Sequence, residues 1–257
     1  MDTFYSFIYE YIFVYAWLIA TTFINVIAPT SGSTVINPVT AFFLDPQRAI
    51  GISAFMMFVT GIHHVYLFRK EIFSEKKNIE VIKSMLPLTI VGAIVGGFLV
   101  SYLNIKLLTV IIVIVSTHFI YKTVKQIVHK EEYVERENNV FGAGLVALFT
   151  GFLQGAGMPG ADVRSNYLRT VLSEVSVRAT SSIFGLTNFF IAGTIIFFNN
   201  KLTNKDIVFV VTLVPFLIIA QVYGKKFLHK MTDTHAKLLA ISLSSVGVLL
   251  LTYKYLI

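Results

Sequence analysis

The chain of 257 residues has no cysteine, which excludes disulfides, thiolate catalysis and cysteine-based metal sites. Charge is scarce too: 14% of residues are Asp, Glu, Lys or Arg, where a soluble domain carries about 25%. Long polar stretches are missing, the longest running only from about Val128 to Asn139, so no large extramembrane domain fits. The start, Met1-Asp2-Thr3-Phe4, lacks a positive n-region and no cleavage-like site follows, so the first apolar segment is expected to persist in the mature protein. His-Glu-x-x-His, Gly-x-Ser-x-Gly and Walker loops are all absent, which argues against an enzyme of those classes and against an ATP-driven pump. No cofactor and no metal site are expected.

What the chain does have is apolar sequence: 55% hydrophobic residues and a mean hydropathy of +0.74. A membrane span needs about 20 such residues. That length predicts eight spans: Tyr11–Ala28, Ala49–Phe68, Ser84–Leu103, Leu107–Val128, Val140–Gln154, Ala179–Phe198, Ile207–Gly224 and Leu238–Leu251. Two shorter apolar pieces, Val35–Leu44 and Ala161–Leu172, are too short to cross alone. The formal charge of +7 does not indicate nucleic acid, because the basic residues flank spans in the manner of headgroup anchors.

Two breaks stand at matching places in the halves: Ala28-Pro29-Thr30-Ser31-Gly32-Ser33-Thr34 and Gln154-Gly155-Ala156-Gly157-Met158-Pro159-Gly160. A broken helix at membrane depth frees backbone groups that lipid cannot satisfy, so it persists only against protein or a cavity. A matching pair of breaks is the best sequence pointer to a transporter's binding site. Around them the halves echo one another: Arg48-Ala49 with Arg178-Ala179, Pro87 and Gly96 with Pro215 and Gly224, Lys106-Leu107-Leu108 with Lys237-Leu238-Leu239. The predicted organisation is therefore a first transmembrane repeat (1–128), a cytoplasmic linker (129–139) and a second repeat (140–257). The fold class is all-α integral membrane, with two inverted repeats of about four transmembrane helices plus a broken or re-entrant short helix each. Five passes per half invert the repeats and leave only Arg48, Lys106, Lys201, Lys205 and Lys254 outside among the 21 basic residues. Four passes would put nine outside, so the positive-inside rule prefers inversion.

Chemistry-bearing residues cluster at the breaks. Ser31, Ser33 and Thr34 offer hydroxyls beside Gly32 at a helix start that suits an electronegative group, though ordinary N-capping reads equally well. Asn37 would place an amide one turn further on. Gly157 and Gly160, around Met158 and Pro159, allow close backbone approach. Asp162, Arg164 and Asn166 follow, spaced by two and so spread around a helix. Intramembrane charge is expensive and usually functional. Arg164 suits an oxyanion, Asp162 is a candidate for proton or sodium coupling, and snorkelling or capping is the alternative for each. His63-His64 is a candidate proton relay, with an interfacial position as the commoner reading. Ser53, Thr60, Ser181, Ser182, Thr187, Asn188 and Gln221 either line a cavity or bond neighbouring helices. Gly92, Gly96, Gly151 and Gly155 have the four-residue spacing of close helix packing.

At these breaks the chain resembles the sulfite exporter TauE/SafE family, also called the toluene-sulfonate uptake permeases. The second half carries the likeness, in Gly155-Ala156-Gly157-Met158-Pro159-Gly160-Ala161-Asp162-Val163-Arg164 and Arg178-Ala179-Thr180-Ser181-Ser182. In the first half it rests on Asn37-Pro38 and Arg48-Ala49-Ile50-Gly51-Ile52-Ser53, the glycine cluster being reduced to Gly32. The resemblance implies a secondary transporter for sulfite, a sulfonate or a sulfoacetate-like anion in a bacterial or archaeal plasma membrane. The expected site residues are Ser31, Gly32, Ser33, Thr34, Asn37, Gly157, Met158, Pro159, Gly160, Arg164 and Asn166, with Asp162 and His63 for a coupling proton or sodium. An anion channel is the nearest rival, and an intramembrane enzyme or an assembly factor stand further off. A homo-oligomer is left open.

Overall fold

The computed structural model describes residues 2–27, 32–129, 139–227 and 233–257. Eleven helices fill them: α1 (Asp2–Ile27), α2 (Gly32–Phe43), α3 (Pro46–Leu67), α4 (Arg69–Ser74), α5 (Lys76–Tyr102), α6 (Ile105–His129), α7 (Val140–Gly155), α8 (Ala161–Arg169), α9 (Glu174–Phe198), α10 (Asn204–Phe227) and α11 (Asp233–Tyr255). There is no strand among the described residues, as the all-α expectation requires. Six helices are long and apolar enough to cross a membrane: α3, α5, α6, α9, α10 and α11. The apolar parts of the other two expected spans are shorter, Tyr11–Ile24 and Phe141–Gly155. At 1.5 Å per residue the 16 residues of α7 reach about 24 Å, short of the ~30 Å hydrocarbon core. Helix α4 was not expected from the sequence. The linker's residues 130–138 lie outside the described residues.

Large apolar side chains remain exposed on the spanning helices, Ile62, Val95, Ile114, Phe190, Val211 and Leu249 among them. Lipid is the solvent that such faces require. Inside, Gly92 and Gly96 of α5 meet Gly151 and Gly155 of α7 so closely that a Cβ on any of them would overlap backbone of the opposite helix. This is the close packing expected of the four-residue glycine spacing.

Helices α3, α5 and α6 begin at Pro46, Lys76 and Ile105, each 128 residues before the starts of α9, α10 and α11 at Glu174, Asn204 and Asp233. The packing follows the same register. Helix α3 crosses α9 antiparallel, with Gly61 on Leu186, Phe58 on Phe190 and Phe55 on Gly193 and Phe197. Helix α5 runs parallel to α7, and α10 runs parallel to α1, where Tyr11 meets Phe209 and Phe23 meets Phe227.

Two polar locks hold helix starts together. Thr203 and Asp206 form a reciprocal cap on α10: Thr203 donates through N and Oγ1 to Asp206 Oδ2 at 2.8 and 2.7 Å. The other carboxylate oxygen accepts from Arg48 Nε at 2.8 Å and from the Tyr11 hydroxyl at 2.9 Å, with Arg48 also donating to Tyr11. The corresponding place between α5 and α9 has a neutral pair, Asn78 Nδ2 donating to Ser176 Oγ at 3.2 Å. Removing one partner of a buried ion pair strands the other. Because Arg48 is 22% exposed, Asp206→Ala should cost about 3 kcal/mol, the low end of that effect. Asn78→Ala should cost about 1 kcal/mol, and thermal unfolding in detergent distinguishes the two.

Candidate functional site

Helix α7 stops at the second break through a left-handed glycine. Gly157 has φ +68°; its N–H bonds Gln154 O at 3.0 Å and the Met158 N–H bonds Leu153 O at 2.8 Å. That double closure satisfies carbonyls left free at a helix end, and Pro159 prevents continuation. A Cβ on Gly157 would stand 2.5 Å from Ile50 Cγ2. The break is thus pressed against α3. Gly160 precedes α8, and a Cβ there would lie 2.8 Å from Thr150 O. Met158 is buried and Pro159 and Gly160 are buried beside it.

Asn37 of α2 reaches this break: its Nδ2 donates to Gly157 O, and its Oδ1 accepts from Ser53 Oγ of α3 at 2.5 Å. One amide thereby joins α2, α3 and the second break. The structure places Gly32, Ser33 and Thr34 in the first turn of α2, but their side chains, like all of Ser31, lie outside the described residues. The same holds for the Asp162 side chain, on the first turn of α8.

Arg164 is 1% exposed, the largest fully buried side chain among the described residues. Its Nη1 donates to Gln154 Oε1 at 2.5 Å and its Nη2 approaches Ser181 O at 3.5 Å. The guanidinium also stands 5.2 Å from the Phe184 ring centre, within cation–π range. Gln154 Oε1 accepts a second bond, from Asn188 Nδ2 at 2.7 Å. Asn188 is fully buried near the middle of α9. The interior of the α7–α8–α9 packing therefore carries a polar seam, Arg164–Gln154–Asn188, running from the second break to mid-helix.

Asn166 does not join that seam; it is half-buried and its Oδ1 accepts from Arg169 at 3.4 Å. The Asp162, Arg164, Asn166 spacing does send its described members to different surroundings. His63 meets α10 instead of α8: its Nδ1 lies 2.6 Å from Gln221 Oε1, while Gln221 Nε2 donates to Thr60 O at 3.1 Å. His64 packs edge-on against Phe68 at the end of α3. Gln221 and Ser53 bond neighbouring helices, while Thr60, Ser182 and Thr187 bond carbonyls of their own. Sequence reasoning did not foresee Gln154 as the seam's centre. The signal available was an amide immediately before a glycine-rich break, with an arginine ten residues on. No group of three His, Asp or Glu suited to a metal comes together among the described residues.

Discontinuous helices of this kind line the binding sites of many membrane transporters. Residues 13–250, nearly the whole chain, match the family described as Sulfite exporter TauE/SafE, and the chain belongs to that family of membrane transporters. Searches of curated proteins and of solved structures gave no match to the chain.

Proposed function

We propose that this chain is a secondary transporter moving a sulfur-containing or organic anion, such as sulfite, a sulfonate or a sulfoacetate-like anion, across the plasma membrane by alternating access. The observation that carries the reading is Arg164: a buried guanidinium at a helix break, with its planar fork between Gln154 and Ser181. Buried charge in a membrane protein is expensive, is usually paired and often marks a ligand or relay site, and the guanidinium's planar geometry favours an oxyanion over a point-like halide. Backbone groups at Gly157–Gly160 and the start of α2 (Gly32, Ser33, Thr34, with Ser31 before it) would complete the site.

Inverted repeats supply the moving parts. Support comes from the constant 128-residue register and from the antiparallel crossing of α3 on α9, which places the starts of equivalent helices at opposite ends. The locks obey the register as well, Arg48–Asp206 answering to Ser176–Asn78. Rocking of one half against the other would expose the seam to each side in turn. Asp162 and His63 are the coupling candidates for a proton or sodium.

The test is counterflow in liposomes containing purified protein and labelled sulfite or sulfonate. A carrier accumulates label transiently when unlabelled substrate is loaded on the trans side. Flux indifferent to trans substrate would instead make the protein a channel, and a chemically altered product would make it an enzyme.

A further inference from the structure

Asn188 has one satisfied end and one that is not. Its Nδ2 donates to Gln154 Oε1, while its Oδ1 is buried with no hydrogen-bond partner. The orientation of both amides follows from Arg164. A guanidinium only donates, so Gln154 must turn its carbonyl oxygen toward Arg164 Nη1. The same oxygen faces Asn188, so Asn188 must present its NH2 and leave its oxygen over. Flipping Gln154 would set donor against donor at both contacts, and flipping Asn188 would set two acceptor oxygens against each other. The Ser181 and Thr180 hydroxyl oxygens on α9 are buried without partners as well. A hydroxyl can rotate to serve as donor or acceptor, but the Asn188 carbonyl oxygen can only accept. A buried acceptor left unmatched is costly, and at a site that changes occupancy the occupant is the group that can match it.

We infer that Asn188 selects the cargo: the site takes oxyanions that also carry a hydrogen-bond donor, such as a hydroxyl, an amine or an acidic proton, in preference to bare anions of the same charge and size. The inference rests on the anion reading of Arg164 and deepens it. Arg164 holds the anionic oxygens through the guanidinium fork. Asn188 Oδ1 receives the donor on the cargo. Gln154 fixes both groups in one frame. A bare sulfonate satisfies Arg164 and leaves Asn188 unmatched, and a site built to bond a substrate hydroxyl discriminates strongly against the analogue that lacks it.

The experiment compares 2-hydroxyethanesulfonate with propane-1-sulfonate, which differ by a hydroxyl in place of a methyl group. Binding to purified wild-type protein is measured by calorimetry at one pH. The hydroxylated anion should bind about tenfold more tightly or better. In Asn188→Leu that preference should vanish or reverse. Equal affinity of the two anions for the wild-type protein overturns the inference while leaving the anion site standing, and this comparison requires no variant to fold. An undiminished preference in a folded Asn188→Leu protein overturns it too. If neither sulfonate binds the wild-type protein, both this inference and the anion reading beneath it are overturned; binding of the hydroxylated anion alone supports the inference.

Discussion

Gly155→Ala should be among the most damaging single changes in the chain, although it adds one methyl group. The new Cβ would overlap Ala93 O and stand 2.7 Å from Ala93 Cα and 2.8 Å from Ala93 C. All three are backbone atoms of α5, so no rotamer change can make room and the two helices must separate. In lipid, close packing itself holds helices together, because acyl chains are as apolar as leucine and supply no hydrophobic drive. Separation therefore loses contacts all along the crossing, where Gly92, Gly96 and Gly151 are equally tight. Overpacking typically costs about 1–3 kcal/mol, and this case belongs at or above the upper end. A large fall in melting temperature of the solubilised protein is expected. Gly185→Ala is the control: its nearest neighbour is Phe189 Cε2 at 3.9 Å, and alanine's better helix propensity should leave stability unchanged or slightly raised. Equal melting temperatures for Gly155→Ala and Gly185→Ala would refute the backbone-contact argument.

That crossing was legible in the sequence because glycines four apart in apolar segments have few other uses. The second break was legible for a related reason: Gly157 and Pro159 are local signals, one needing a left-handed backbone and the other lacking a donor, while most of the first break lies outside the described residues. Helix order followed from apolar length, and most errors fell at polar ends. Helix α5 begins at Lys76 and α9 at Glu174, eight and five residues before the apolar runs that announced them, since a helix continues into the headgroups as long as its end is capped. What was hidden depended on rotation about helix axes. Gln154 and Asn188 are 34 residues apart, and which face of α9 meets the end of α7 is set by packing alone. Arg48 and Asp206 are 158 apart and read locally as ordinary flanking charges. Asp206 caps α10 with Thr203 and also holds Arg48 and Tyr11, a double role the sequence analysis did not read.

The two halves are alike in register and unlike in chemistry, and the unlikeness concentrates at the site. One helix-start lock is ionic and its counterpart neutral; one break carries an arginine four residues after its last glycine, whereas Ile36 follows Gly32 by the same interval. Among the described side chains, only the second half's break carries a buried arginine. On the proposed anion reading, framework duties fall to both halves and ligand duties mainly to the second. Asn37 is the first half's described contribution, and it works by fixing Gly157 O.

Arg164→Ala should accordingly reduce anion affinity by about 100-fold or more, the usual consequence of deleting the charged member of a buried, desolvated recognition pair. Calorimetric titration of purified protein with sulfite or a sulfonate reads the effect directly. The structural role of the side chain must be separated from its ligand role, because Arg164 also bonds Gln154 and Ser181 O. Arg164→Lys does this. Lysine retains the charge and places all its donors on one nitrogen, so it cannot bridge Gln154 Oε1 and a second acceptor with a fixed planar fork. If bidentate geometry governs binding, Arg164→Lys falls close to Arg164→Ala in affinity while keeping most of its melting temperature. If charge alone matters, Arg164→Lys binds nearly as well as wild type. A folded Arg164→Ala protein with unchanged anion affinity removes the guanidinium from the site, and with it the reason to place the anion at the α7–α8 break.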